Sequence, residues 1–297
     1  MSKQQREAVD KLWREATLDG SSIEQMRAGF ARVMAQFPVP DGVTTSETTI
    51  AGRRALRIEP ASGARHGTML YFHGGNYVVG APETAAALTA DLVLRTGMTA
   101  LSLDYRLAPE HPFPAAIEDC VRAYRALLDG GTDPATVALV GDSAGGGLAV
   151  GTALIVRNEG LPRPAAVVAY SPTLDATRSG ASMTTRAAKD PVLNPELLVG
   201  TSAMHLAGAD PDQDLLSPAV RGDLTGLPPL LLQVGTNEIL LDDSVRMAVR
   251  AAAADVDVIL DVTADVPHVF QSLTGLLDEA DAAVDRAAAF LRQHTGG

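Results

Sequence analysis

A serine hydroxyl becomes a useful nucleophile when its neighbours leave it exposed and a base lies within reach. Residues 137–150, "VALVGDSAGGGLAV", offer that presentation. An apolar run passes straight into "GDSAG", residues 141–145, and small residues continue beyond it. The form is G-x-S-x-G at a strand-to-helix junction, where a sharp turn lifts the serine Oγ above a sheet. Side chains two positions either side of Ser143 would collide across such a turn, and Gly141 and Gly145 remove them. The Ala144 N–H then opens a helix, a position that favours an anion. Glycine-rich strand–helix junctions also cradle dinucleotides, but that fingerprint is G-x-G-x-x-G with an acid about 20 residues on. Here Ser143 occupies the second glycine's place, and the later "GLPRP" supplies no acid.

A base and an orienting acid must follow the serine in chain order Ser, Asp/Glu, His. Of six histidines, His66, His73, His111 and His205 precede the region where the acid can lie, and His294 sits in the tail "RQHTGG". His268, in "ADVPHVF" just past the last predicted strand, is the candidate base. For the acid, "TNEILLDDS" offers Glu238, Asp242 and Asp243. Asp242 and Asp243 have an ordinary use as caps of the helix that follows. Glu238, where the strand has just ended, is preferred, with Asp242 second. The glycines of "YFHGGNYVVG", residues 71–80, follow another apolar run and suit a loop that turns N–H groups toward an oxyanion. His73 in that loop has no second ligand at metal-binding spacing, so it is read as fixing the loop by hydrogen bonds.

The elements that would carry these residues alternate. Apolar runs at 68–72, 99–104, 137–141, 165–170, 230–235 and 256–262 read as strands, with 44–49 and 55–59 as edge strands before them. Helical patterns lie at 84–96, 114–128, 144–158, 242–254 and 278–293. Apolar strands separated by helices predict an α/β fold with a parallel sheet covered on both faces. About sixty residues between Tyr170 and Leu230 break the alternation, and they are too many for a bare loop. They are read as an inserted cap that meets the N-terminal helices of residues 1–37 above the sheet, and the small residues of 179–188 are candidates for the pocket wall, with helix packing an equal explanation. The 297 residues form one domain, with a cap from about 1–40 and 178–208. A net charge of −12 argues against nucleic acid and anionic membrane as partners. The single cysteine, Cys120, is read as packing in its helix, and with no apolar leader or spanning run the expected location is the cytoplasm.

Four stretches together, "HGGNYVVG", "DYRLAPEHPFPAA", "GDSAGG" and the late "PHVF", resemble the hormone-sensitive-lipase family of bacterial esterases. The resemblance runs from about Tyr71 to Phe270. It implies an α/β-hydrolase fold with an eight-stranded, mostly parallel sheet and a helical cap. It also implies nucleophile Ser143, base His268, and an acid at the first position of "EILLD", which is Glu238 where aspartate is commoner; Asp242 stays as the alternative. The oxyanion N–H groups carried over are those of Gly74, Gly75, Asn76 and Ala144, with Asn76 standing where a third glycine is frequent. The activity implied is carboxylic-ester hydrolysis on small or short-acyl esters, through an acyl-enzyme, with no metal and no cofactor. Lactone hydrolysis by the same triad, and a non-catalytic receptor-like role of the same fold, are the alternatives. A homodimer pairing along the last strand is also implied.

Overall fold

The computed structural model describes residues 3–15, 22–64 and 66–296. Eight strands make one sheet: β1 (Val43–Ile50), β2 (Arg53–Pro60), β3 (Thr68–Phe72), β4 (Thr99–Leu103), β5 (Val137–Asp142), β6 (Ala166–Tyr170), β7 (Leu230–Asn237) and β8 (Val258–Pro267). Their order is β1-β2-β4-β3-β5-β6-β7-β8. The β1–β2 and β2–β4 pairs are antiparallel, and every later pair is parallel. This is the mostly parallel, eight-stranded α/β arrangement the sequence predicts.

β3, β4 and β6 are apolar because they have no solvent face. On one side of the sheet lie α4 (Ala115–Asp129), α5 (Ala144–Asn158) and α8 (Leu241–Ala253). α4 turns Ala116, Cys120, Ala123 and Tyr124 inward, a spacing of one helical face, and Cys120 is buried there as a free thiol. On the other side lie α3 (Ala86–Thr96) and α9 (Asp278–Thr295).

The last strand differs from its expected span of 256–262. It continues to Pro267 because β7 keeps pairing with it past a register shift between Gly235 and Asn237. That extension, "TADVP", lacks an apolar run because β8 is an edge strand. The apolar-run criterion stops where only one side of a strand is covered.

Two further segments sit at the carboxyl ends of the strands. α1 (Lys3–Glu15) and α2 (Ile23–Met34) rest Val9, Trp13 and Val33 on Phe270, Leu273 and the start of α9. Between β6 and β7 the chain forms only a single turn, α6 (Ser182–Thr185), and α7 (Pro195–Leu206). Leu193 and Leu198 from this stretch pack on Ile239 and Leu240, just beyond β7.

The crossing of β5 into α5 is the tightest contact near the strand ends. A methyl on Gly145 would lie 1.9 Å from the Phe72 carbonyl oxygen, and one on Gly141 would lie 2.3 Å from the Gly145 oxygen. Both obstacles are backbone and cannot swing aside. Gly145→Ala should therefore unfold the protein or lower its urea midpoint severely. Gly200→Ala, in open space on α7, should be neutral or stabilising by up to about 1 kcal/mol. Equal stabilities for the two variants would contradict this account of the turn.

Candidate active site

Ser143 stands at φ 54° and ψ −118°, a conformation that L residues avoid. Hydrogen bonds hold it there. Its N–H donates to the Tyr170 carbonyl at 2.7 Å, and its own carbonyl accepts the Thr173 N–H at 3.0 Å. The turn is thus pinned to the end of β6.

His268 follows β8 directly. Its Nε2 lies 2.9 Å from Ser143 Oγ. Its Nδ1 lies 2.6 Å from Glu238 Oε2. A carboxylate only accepts, so Nδ1 carries the hydrogen and Nε2 presents its lone pair to the serine. Burial works against a charged imidazole, but the hydrogen bond and charge of Glu238 outweigh it and hold His268 above its ordinary pKa. Glu238 is fully buried and saturated with donors. Besides the imidazole it accepts the Ser171 hydroxyl at 3.0 Å and the Gly235 N–H at 2.9 Å, both on Oε1.

The alternative acid is engaged elsewhere. Asp242 Oδ2 accepts the Ser182 N–H at 3.0 Å, and the Asp242 N–H donates back to Ser182 Oγ at 3.1 Å. Asp243 accepts the N–H groups of Leu174 and Asp175. Neither caps α8: its N-cap residue is Leu240, which has no capping side chain, and the Asp242 N–H in the first turn is met by Ser182 Oγ. The two aspartates tie down the crossing from β6 instead, a use that local spacing does not reveal.

The loop after β3 winds through three left-handed positions, Gly75 at φ 121°, Asn76 at 52° and Tyr77 at 63°. A methyl on Gly75 would fall 2.2 Å from the Val79 carbonyl oxygen, so glycine is required there. Gly75, Asn76, Ser143 and His268 all face one cleft. Of the four residues expected to supply N–H groups, Gly74 is the exception in its bonding. Its N–H is taken by the Asp142 carboxylate, which also accepts the Tyr71 hydroxyl at 2.8 Å. Burial pushes Asp142 up to about 6. Ala144 is the first residue of α5. His73 is buried, with Nδ1 donating to the Gly74 carbonyl at 2.7 Å and its ring stacked on Tyr105. Burial lowers it to about 4, so it is a neutral support of the loop. Among the described residues no group of three or more His, Cys, Asp or Glu could hold a metal ion.

The cleft is a concave, mostly apolar opening of the kind that takes small molecules. Its wall is apolar: Trp13, Met26, Phe30 and Met34 from the N-terminal helices, and Val192, Leu193 and Leu197 from the segment before and within α7. The small residues of 179–188 do not line it. Ser182, in their midst, bonds instead to Asp242 and to the Ile239 carbonyl.

Sequence reasoning passed over two residues that hold this geometry. Ser171 donates to Glu238 and accepts the Val269 N–H at 3.0 Å, so it joins the acid to the loop that carries the base. Its signal was its place at the end of the strand beside the nucleophile's. Asp190 accepts the N–H groups of Val192, Leu193 and Ile239. It moors the cleft wall to the residue after Glu238, and nothing in the local pattern marks it.

Comparison with known proteins agrees with the geometry. The pattern of the alpha/beta hydrolase fold family matches residues 69–272. An acetyl-hydrolase of Streptomyces hygroscopicus is 40% identical, over 98% of this chain and 96% of its own. The crystal structure of an esterase from the bacterial hormone-sensitive lipase family superimposes with a TM-score of 0.95 at 41% identity, covering 99% of both chains. The crystal structure of EstE5 soaked with p-nitrophenyl butyrate does so with a TM-score of 0.92 at 37% identity, again over 99% of both. No helix among the described residues is long and apolar enough to cross a membrane.

Ser171→Ala removes one donor to a buried carboxylate and one acceptor of a loop N–H. A hydrogen bond to a charged group contributes about 1.5–3 kcal/mol. The variant should fold, and kcat/KM for a p-nitrophenyl ester should fall at least about tenfold; an unchanged kcat/KM would deny Ser171 a positioning role.

Proposed function

Because the chain belongs to the α/β-hydrolase fold family, as an esterase of the bacterial hormone-sensitive-lipase kind, we propose that Ser143, His268 and Glu238 are its catalytic triad and that it cleaves small carboxylic esters through an acyl-enzyme. One observation carries the reading. An unbroken chain of hydrogen bonds runs from the serine through the imidazole to the buried carboxylate, at 2.9 and 2.6 Å.

Ser143 Oγ adds to the ester carbonyl carbon while its proton passes to His268 Nε2. Glu238 stabilises the imidazolium through the Nδ1–H. The carbonyl oxygen, now an anion, is held by the N–H groups of Gly75, Asn76 and Ala144. One such donor contributes about 3 kcal/mol of transition-state stabilisation. The tetrahedral adduct collapses, the C–O bond to the alcohol breaks, and the alcohol leaves with the proton from Nε2. Water then adds to the acyl-enzyme by the same proton path and releases the acid. No step calls for a metal or a cofactor.

The apolar wall suits an uncharged acyl or alcohol portion, and the helices at its back set a limit on length. Esters of acetate to butyrate are the proposed substrate range. The EstE5 crystal soaked with p-nitrophenyl butyrate supports the upper part of that range. The cap in this proposal is formed by the described residues of about 1–40 together with about 178–208. A second copy would pair along β8, the free edge where Ile259 and Val262 are exposed.

Hydrolysis of p-nitrophenyl acetate and butyrate tests the triad. Ser143→Ala should lose activity by about 10⁴-fold or more and should no longer be labelled by a fluorophosphonate. Glu238→Ala should be severely impaired, and Asp242→Ala should stay within a few-fold of the parent. The reverse ranking of the two acids would overturn the assignment.

His268 accepts the serine proton only while neutral, and Glu238 raises its pKa. The acidic limb of kcat/KM should therefore have its midpoint above about 6.5, the ordinary imidazole value. In Glu238→Gln the raising charge is gone and burial remains, so the midpoint should move down as the rate falls. A limb that stays in place would mean that another group titrates.

A further inference from the structure

A second, smaller cavity lies behind the loop of Gly75 and Asn76. Asn76, Tyr77, Thr173, Arg178, Thr201 and Ser202 contribute to its wall, and it has room for one particle the size of a water molecule. Asn76 and Thr201 line the catalytic cleft as well, so the two cavities stand back to back across these residues.

Three donors in this wall lack partners. Arg178 donates Nη2–H to Ser202 Oγ at 3.1 Å, but its Nε and Nη1 are buried with no hydrogen bond. The Thr173 hydroxyl is buried and unpaired too. Among the described residues no carboxylate forms an ion pair with Arg178. Asp175, three residues earlier, is spoken for by Thr177, Ser179 and Arg246. Asp243 feels the Arg178 charge but forms no ion pair with it, and its Oδ2 accepts the N–H groups of Leu174 and Asp175. The other titratable groups of the wall bring no negative charge. Burial holds His205, stacked on Tyr77, at about 4, and it holds the Tyr77 hydroxyl protonated.

A guanidinium with two buried, unused N–H groups is costly, since those donors have left water without gaining an acceptor, and Asp243 acts on the charge without making an ion pair with it. The least costly occupant is one that only accepts hydrogen bonds and is negative. Water fits less well, because it must find acceptors for its own two hydrogens. We propose that this cavity is a binding site for a small monovalent anion of halide size, held by Arg178 Nε–H and Nη1–H and by the Thr173 hydroxyl. The placement, walled by Asn76, joins the anion to the backbone of the loop beside the catalytic serine. It rests on the donors around Arg178 and does not depend on the hydrolytic reading.

Two readouts test it without recourse to activity. In crystals of the full chain soaked in sodium bromide, anomalous scattering should show a bromide between Arg178 and Thr173. In solution, sodium chloride should raise the melting temperature saturably, by about 3 °C at concentrations well above the dissociation constant, relative to sodium gluconate of equal ionic strength. Gluconate is too large for the cavity. Arg178→Met should abolish the difference between the two salts. Thr173→Val, which keeps the shape and the guanidinium, should weaken the chloride dependence several-fold, and it guards against a misfolded arginine variant. A water peak in place of bromide, an equal response to chloride and gluconate, or a chloride response that survives in Arg178→Met would each overturn the proposal.

Discussion

A carboxylate with no access to water has to be satisfied entirely by the protein around it, and in this fold that requirement falls on Glu238. Stripping an ionised carboxyl of solvent costs several kcal/mol unless donors replace the water. Three do so, and they come from three neighbouring strand ends: Ser171 after β6, Gly235 within β7 and His268 after β8. The parallel register of β6, β7 and β8 is what brings residues 67 and 30 positions apart in the chain to one carboxyl group. A slip in either pairing would leave a buried charge unpaired, so the sheet and the site are stabilised by the same contacts.

The same rim of the sheet carries the unusual backbone. Asn76, Tyr77, Ser143, Ser171 and Val269 are all non-glycine residues at positive φ, and each lies just beyond a strand end. Such conformations cost of order 1–3 kcal/mol each and persist only where surrounding bonds over-determine them. The bonds are present: Ser143 N–H to Tyr170, Ser171 N–H to Gln233, and Val269 N–H to Ser171 Oγ. Ser143 and Ser171 are each fixed by the strand next to their own, and Val269 is fixed by Ser171, two strands away. Strain at the rim is therefore supported by the pairing of the sheet, and the side chains it aims are held before any substrate arrives.

How much of this could be read from the sequence follows from how local each signal is. Ser143 and its glycines were legible because the tight turn writes itself into five consecutive residues, although one of the collisions avoided, Gly145 against the Phe72 carbonyl, is with a distant strand. His268 was legible because chain order left two histidines past the last strand, and His294 lies in the tail. Glu238 was separated from Asp242 only by its position against the end of a strand, and the structure shows the physical difference: one carboxyl faces the imidazole, the other the Ser182 N–H. Ser171 and Asp190 were not legible, because their partners lie 67 and 49 residues away and their own neighbourhoods look ordinary. The pocket wall stayed open between lining and helix packing for a related reason. Small residues at 179–188 suggested a lining, yet of these only Gly180 and Ser182 are buried, and they sit against the start of α8, where Gly180 has no room for a methyl beside Asp242. The lining came from the apolar side chains of 192–197.

One side chain makes the cleft roof and the loop beneath it a single body. Arg27, on α2, donates to the carbonyls of Val78 and Ala108, and Glu110 holds the guanidinium from the far side through two oxygens. Val78 and Val79 in turn donate to the Gly75 carbonyl, the bend that aims Gly75 and Asn76. On the same helix Met26 and Phe30, one residue before and three after Arg27, form part of the apolar wall. A ligand that presses on that wall presses on a helix whose arginine grips the loop next to Ser143. Shape selection by the roof and the placement of the proposed oxyanion donors thus act through one rigid connection.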